Sequence, residues 1–180
     1  PKEVFKGLEK NVDTVWTYDS EEGRWKVWRP HGDGFPGPEN TSNLEEIKTG
    51  DGYWVLANND DELVVGGSLF TPGPVLPPSK KLVEGWNLIG YYGTDPEDGN
   101  AYCTLYSLRN LDGGLLKPTN WNGLLSYWEP NNPNQWNELE LCDNIEAGKG
   151  YWIAMDAEDT YNPQTICSDY NILNSICNIF

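Results

Sequence analysis

The sequence predicts a mainly β chain of two homologous small antiparallel modules, each with one short helix, joined by a Pro-rich linker. Three observations carry that prediction. A six-residue stretch occurs twice, as Gly50-Asp-Gly-Tyr-Trp-Val55 and as Gly148-Lys-Gly-Tyr-Trp-Ile153. The 180 residues include nine Trp and ten Tyr beside nineteen Gly and thirteen Pro, a mixture that suits short strands and tight turns rather than long helices. Between the two stretches runs Thr71-Pro-Gly-Pro-Val-Leu-Pro-Pro78, which is predicted to be extended and stiff. A chain of this length buries about 70% of its unfolded surface, enough for one sizeable core or two small ones.

The repeat extends beyond the six residues. Val15-Trp-Thr-Tyr18 and Trp25 match Leu124-Leu-Ser-Tyr127 and Trp136, and Leu44-Glu-Glu-Ile47 matches Cys142-Asp-Asn-Ile145. In the Gly-x-Gly-Tyr-Trp stretch, glycine is expected to take backbone angles closed to other residues before a strand begins. Val15–Tyr18 and Trp25–Trp28, separated by Asp19-Ser-Glu-Glu-Gly23, read as a hairpin with an acidic turn. Helix candidates precede the hairpins at Val4, Phe5 and Leu8 and at Leu105, Leu108 and Leu111. Glu62-Leu-Val-Val65 reads as one more strand of the first copy, and Leu82-Val-Glu-Gly-Trp-Asn-Leu-Ile-Gly90 as an apolar strand opening the second. The predicted division is residues 1–70, a linker at 71–79, residues 80–168, and an apolar tail at 169–180.

With a Gly-Trp-Asn-Leu-Ile-Gly strand at 85–90, a short helix at 101–111, a Trp-containing hairpin at 124–136 and a closing Gly-x-Gly-Tyr-Trp strand at 147–153, the second copy resembles a repeated module of bacterial and archaeal secreted and cell-surface proteins, S-layer-like and adhesin-like polypeptides among them. It has Tyr127-Trp128 where that family usually has Tyr-Asp; the first copy keeps Trp16-x-Tyr18-Asp19 but lacks the opening strand. The resemblance implies an extracellular or cell-surface location and a packing role without family-wide catalytic residues. A sheet short of one strand exposes unpaired backbone groups and an apolar groove. The filler is expected either from a longer polypeptide of which this chain is a piece, or from the tail at 169–180 acting as a strand donor within the chain or to a neighbouring copy.

Charge narrows the partners. Twelve Lys and Arg against 28 Asp and Glu give a net charge of −16, and the three Arg (Arg24, Arg29, Arg109) are scattered, so neither nucleic acid nor an anionic membrane surface is an expected partner. No apolar run is long enough to span a membrane as a helix. Cys103, Cys142, Cys167 and Cys177 form no CxxC pair and have no neighbouring histidine, which favours two disulfides over zinc. Of three connectivities, Cys103 with Cys142 and Cys167 with Cys177 is preferred because each pair staples neighbouring segments; a loop of about ten residues closed this way contributes a little under 3 kcal/mol. Asn40-Thr-Ser42 is a sequon in a Pro- and Gly-rich loop, fitting glycosylation of an exported protein.

Candidates for chemistry are few. His31, the only imidazole, sits in a Gly-rich loop with Asp33 but with no nucleophile or orienting shell. The acidic pairs at Glu21–Glu22, Glu45–Glu46 and Asp60–Glu62 read as solvated faces, and no Gly-x-Ser-x-Gly elbow or phosphate loop occurs. An enzyme is therefore not expected, nor a cofactor. Calcium is the one ion whose oxygen ligands the loops 58–62 and 95–100 offer, without EF-hand spacing. Trp25, Trp54, Trp86, Trp136 and Trp152 recur at module-defined positions and are expected in the core; Trp28, Trp121 and Trp128 remain for stacking on sugars. The expected function is a non-catalytic structural module of a cell-surface, S-layer-like or filament assembly, self-associating or spacing neighbouring surface-protein domains; the alternative is a carbohydrate- or surface-binding adhesin module.

Overall fold

A computed structural model of the chain describes residues 1–31, 42–65, 79–92, 101–108, 121–128, 136–140 and 142–162. They form three antiparallel sheets with very little helix. The first sheet has the order β2-β1-β3, with β1 at Val12–Asp19, β2 at Arg24–Trp28 and β3 at Trp54–Ala57. The second contains β5 (Gly85–Gly90), β6 (Trp121–Trp128), β7 (Trp136–Glu138) and β8 (Gly150–Met155) in the order β5-β8-β6-β7. A small ribbon pairs β4 (Lys80–Leu82) with β9 (Asp159–Tyr161).

Both hairpins form as their aromatic alternation demands. In the first, Tyr18 lies opposite Trp25 and Trp16 opposite Val27. The acidic turn is closed by Asp19, which accepts from the Glu22 N–H at 3.0 Å and pairs with the Lys26 ammonium. Burial pushes the Asp19 carboxyl up, but Lys26 and the turn N–H groups outweigh it and hold the carboxyl below its usual range. In the second hairpin Trp128 lies opposite Trp136. Since β1 sets Trp16 against Trp54 while β6 sets Ser126 against Trp152, Tyr18 corresponds to Trp128, one residue later than the sequence match to Tyr127. Backbone register, rather than residue identity, fixes this correspondence.

Each main sheet buries its first face under irregular chain. On the second sheet, Ile89, Tyr151, Ile153 and Met155 meet Leu105, Leu108, Ile145 and Tyr161; Leu105 and Leu108 come from the segment with α1 (Ala101–Thr104) and a 3-10 turn (Tyr106–Leu108). Each fully buried aliphatic chain here contributes roughly 1.5–3 kcal/mol. Under the first sheet Phe5, Val12, Val15 and Leu44 are buried, flanked by Leu8, Trp28 and Tyr53. Residues 2–11 supply Phe5 and Leu8 from consecutive turns rather than the expected helix; Gly7, at φ 93°, interrupts any regular repeat. Residues 62–65 are not a strand: nothing among the described residues pairs with them, and Val64 and Val65 are exposed.

The opening strand of the second sheet forms over Gly85–Gly90 only, because the predicted run from Leu82 is broken by a bend and Leu82 belongs to β4; Asn87 explains the sharp start. This fully buried side chain accepts from Val83 N–H at 3.0 Å and donates to the Val83 and Gly85 carbonyls at 2.8 and 3.1 Å, bracing the bend between β4 and β5. Asn87→Ala removes the partner of these part-buried backbone groups and is expected to cost about 1–2 kcal/mol, read as a lower denaturant midpoint at unchanged m.

Candidate functional site

The remaining faces of the two main sheets carry the aromatic residues. Alternation along β8 puts Tyr151, Ile153 and Met155 in the buried cluster and leaves Trp152 and Ala154 on the opposite face. Trp152 meets Tyr18 at 5.6 Å and Trp25 at 5.8 Å, the cross-strand pair of the first hairpin, and Trp86 of β5 at 6.2 Å. Reciprocally, Trp54 of β3 meets Trp128 at 5.5 Å and Trp136 at 5.8 Å, the cross-strand pair of the second hairpin. Most of these pairs are edge-on or tilted, the geometry ring quadrupoles favour.

Backbone closes the seam between these clusters. Asp51 and Ile89 form an antiparallel bridge, Gly90 N–H donates to Gly50 O at 2.8 Å, and Lys80 pairs with Asp51. The two glycines of each Gly-x-Gly differ in purpose. Gly50 and Gly148 have φ of 87° and 84°, as the turn reading requires. Gly52 has no such angle; a β-carbon there would lie 2.7 Å from the Ile89 carbonyl oxygen, so it is needed for close approach. The following tyrosines also act alike. Tyr53 Oη accepts from Lys48 N–H and Tyr151 Oη from Glu146 N–H, each at 2.7 Å, so each ring ties its strand to the turn five residues earlier.

Burial pushes the Tyr92 and Tyr151 phenols up to about 12 and raises Tyr53 and Tyr161 as well. All four are neutral in the fold at a pH where a free phenol, near 10, ionises. Stability from this source is complete below about pH 10 and falls as pH rises from there, because the unfolded chain releases these protons first. In an alkaline titration Tyr53, Tyr92, Tyr151 and Tyr161 are expected to ionise late, together with loss of the far-UV signal; all ten phenols titrating near 10 in an intact fold would contradict this.

Two of the tryptophans expected to stack on sugars pack on aromatic rings of the fold. Trp28 stacks on Phe5 at 5.6 Å and 24° in the first buried cluster, and Trp128 is wedged between Trp54 and Trp136. The Trp121 side chain lies outside the described residues. Three tryptophans expected in the core are instead exposed: Trp25 by 48%, Trp86 by 47% and Trp136 by 44%. They sit on the sheets' aromatic faces, away from the two buried clusters, which repetition alone does not reveal.

A cleft of about 690 Å³ opens beside the first hairpin. Its cations are matched: Lys26 with Asp19, Lys80 with Asp51 and Lys48 with Glu46. In the loop at 58–62 the Asn11 amide donates to Asn59 O and Asp61 Oδ2, both at 3.0 Å, and so uses oxygens a cation would need. Among the described residues no group of three or more His, Cys, Asp or Glu is placed to hold a metal. His31 is exposed. Cys142 is disulfide-bonded. The sequon at Asn40, the loop at 95–100, Cys167, Cys177, the linker and the tail lie outside the described residues, as does the Cys103 side chain. No helix of the described residues is long and apolar enough to cross a membrane. No family model, curated protein or solved structure matches the chain.

Proposed function

We propose that the chain is a non-catalytic packing unit of a secreted or cell-surface assembly, made of two homologous modules at 1–70 and 80–168. One observation carries this reading: the repeated Trp54 and Trp152 are each spent on packing against the other sheet's hairpin pair. Side chains that would otherwise form a ligand platform thus hold sheet to sheet. The strong acidity and the sequon at Asn40 favour an extracellular setting. The Ala101 N–H bond to Asp143 O, 2.8 Å, favours Cys103 as the partner of Cys142, with Cys167 and Cys177 as the second pair. Light scattering and electron microscopy across concentration test the reading: ordered lattices or filaments are expected, and isolated particles at every concentration would refute it.

A second reading, binding of polysaccharide, is favoured by exposed Trp25 and Trp86, both packed on Trp152. Its test is a tryptophan-fluorescence titration, in which saturable quenching lost in Trp86→Ala supports it and an unchanged spectrum rejects it.

A further inference from the structure

Among the described residues the first sheet has no counterpart of one strand of the second. Register makes β3 the counterpart of β8: Trp54 lies opposite Trp16 and Val55 opposite Val15, as Trp152 lies opposite Ser126 and Ile153 opposite Leu125. β8 is paired on both sides, by β6 and β5. Among the described residues β3 is paired only by β1. The cost shows at equivalent positions, where Ile153 and Ala154 are 0% and 5% exposed but Val55 and Leu56 are 46% and 49%. An edge whose amides and carbonyls pair with nothing among the described residues, and whose aliphatic chains are half covered, is a template for strand addition.

Resting on the packing-unit reading, we infer that the outer edge of β3 accepts one antiparallel strand of the Gly-Trp-Asn-Leu-Ile-Gly kind from another polypeptide. The occupant's chemistry follows from β5. Leu88 lies opposite Trp152, Asn87 opposite Ile153, Trp86 opposite Ala154 and Gly85 opposite Met155. Transferred to β3, the occupant sets a leucine against Trp54, a small polar residue against Val55, an aromatic ring against Leu56 and a glycine against Ala57. It comes from outside because the chain's own strand of this kind is engaged by β8. Charge agrees: β3 runs on into Asn58-Asn-Asp-Asp-Glu62, beside which the approach to an antiparallel occupant passes, and basic residues such as the Lys80 and Lys81 that precede Gly85 suit that place.

The test titrates the full-length chain with a synthetic peptide of residues 80–92, followed by amide resonances. Expected are saturable shifts at Trp54–Ala57 and at least about tenfold slower amide exchange there. N-methylation of one alternate set of peptide amides should abolish binding while the other set is tolerated, since only one set faces β3. No saturable shift at millimolar peptide overturns the inference, and so do shifts confined to Gly150–Met155, where the peptide would merely replace β5. Binding seen only after removal of residues 169–180 also overturns it, by giving the edge to the chain's own tail. Failure of the chain to assemble by light scattering would count against the packing-unit reading and leave the peptide result standing.

Discussion

Trp152→Ala is expected to lower the unfolding free energy by about 3 kcal/mol, because a large aromatic truncation in a packed cluster loses both transfer energy and cavity contacts. The indole touches Tyr18 and Trp25 on one sheet and Trp86 on its own. Its removal therefore loosens the join between sheets rather than one local core. Trp86→Ala is the matched comparison. That ring is half exposed and, among the described residues, packs only on the Trp152 ring, so its loss is expected to cost about 1 kcal/mol. Denaturant unfolding of both variants decides the matter, and equal losses would mean that Trp152 does not carry the seam.

Gly90→Ala is expected to be as severe, at about 3 kcal/mol and roughly 10 °C in Tm. A β-carbon at Gly90 would sit 2.6 Å from the Asp51 carbonyl oxygen and 3.2 Å from its carbon, and backbone cannot swing aside as a side-chain tip can. Relief requires the sheets to part, breaking the Gly90–Gly50 hydrogen bond and the Asp51–Ile89 bridge. Gly150→Ala meets nothing closer than Gly52 Cα and Tyr53 N, both at 3.3 Å, and should cost less than half as much. Gly52→Ala wedges the same seam as Gly90→Ala, so the double variant is expected to lose less than the sum of the two.

Much of the fold was legible because its signals are local. Alternation in Val12–Asp19 and Arg24–Trp28, with Asp19 and Gly23 at the turn, specifies a hairpin without reference to the rest of the chain. The Gly-x-Gly-Tyr-Trp repeat marked two strand starts, and the positive φ at Gly50 and Gly148 supplies the reason. What failed depended on neighbours remote in sequence. Val64 and Val65 have strand-forming side chains but no strand to pair with among the described residues, and pattern alone does not supply one. Trp28 and Trp86 differ in exposure because of the sheet face each occupies, and that face is set by register across the sheet rather than by composition. The purpose of Gly52 was equally hidden, since its constraint is the Ile89 carbonyl oxygen, 37 residues downstream. The tyrosine bonds to Lys48 and Glu146 could have been found: the same five-residue offset precedes both tyrosines.

The crossed lending of Trp54 and Trp152 has a thermodynamic corollary. Each half sets its closing indole against the opposite hairpin, so melting one half strips the other of a packing partner. The polypeptide should therefore lose its structure in a single cooperative transition, and either half produced as a separate fragment should be far less stable than it is in the intact chain.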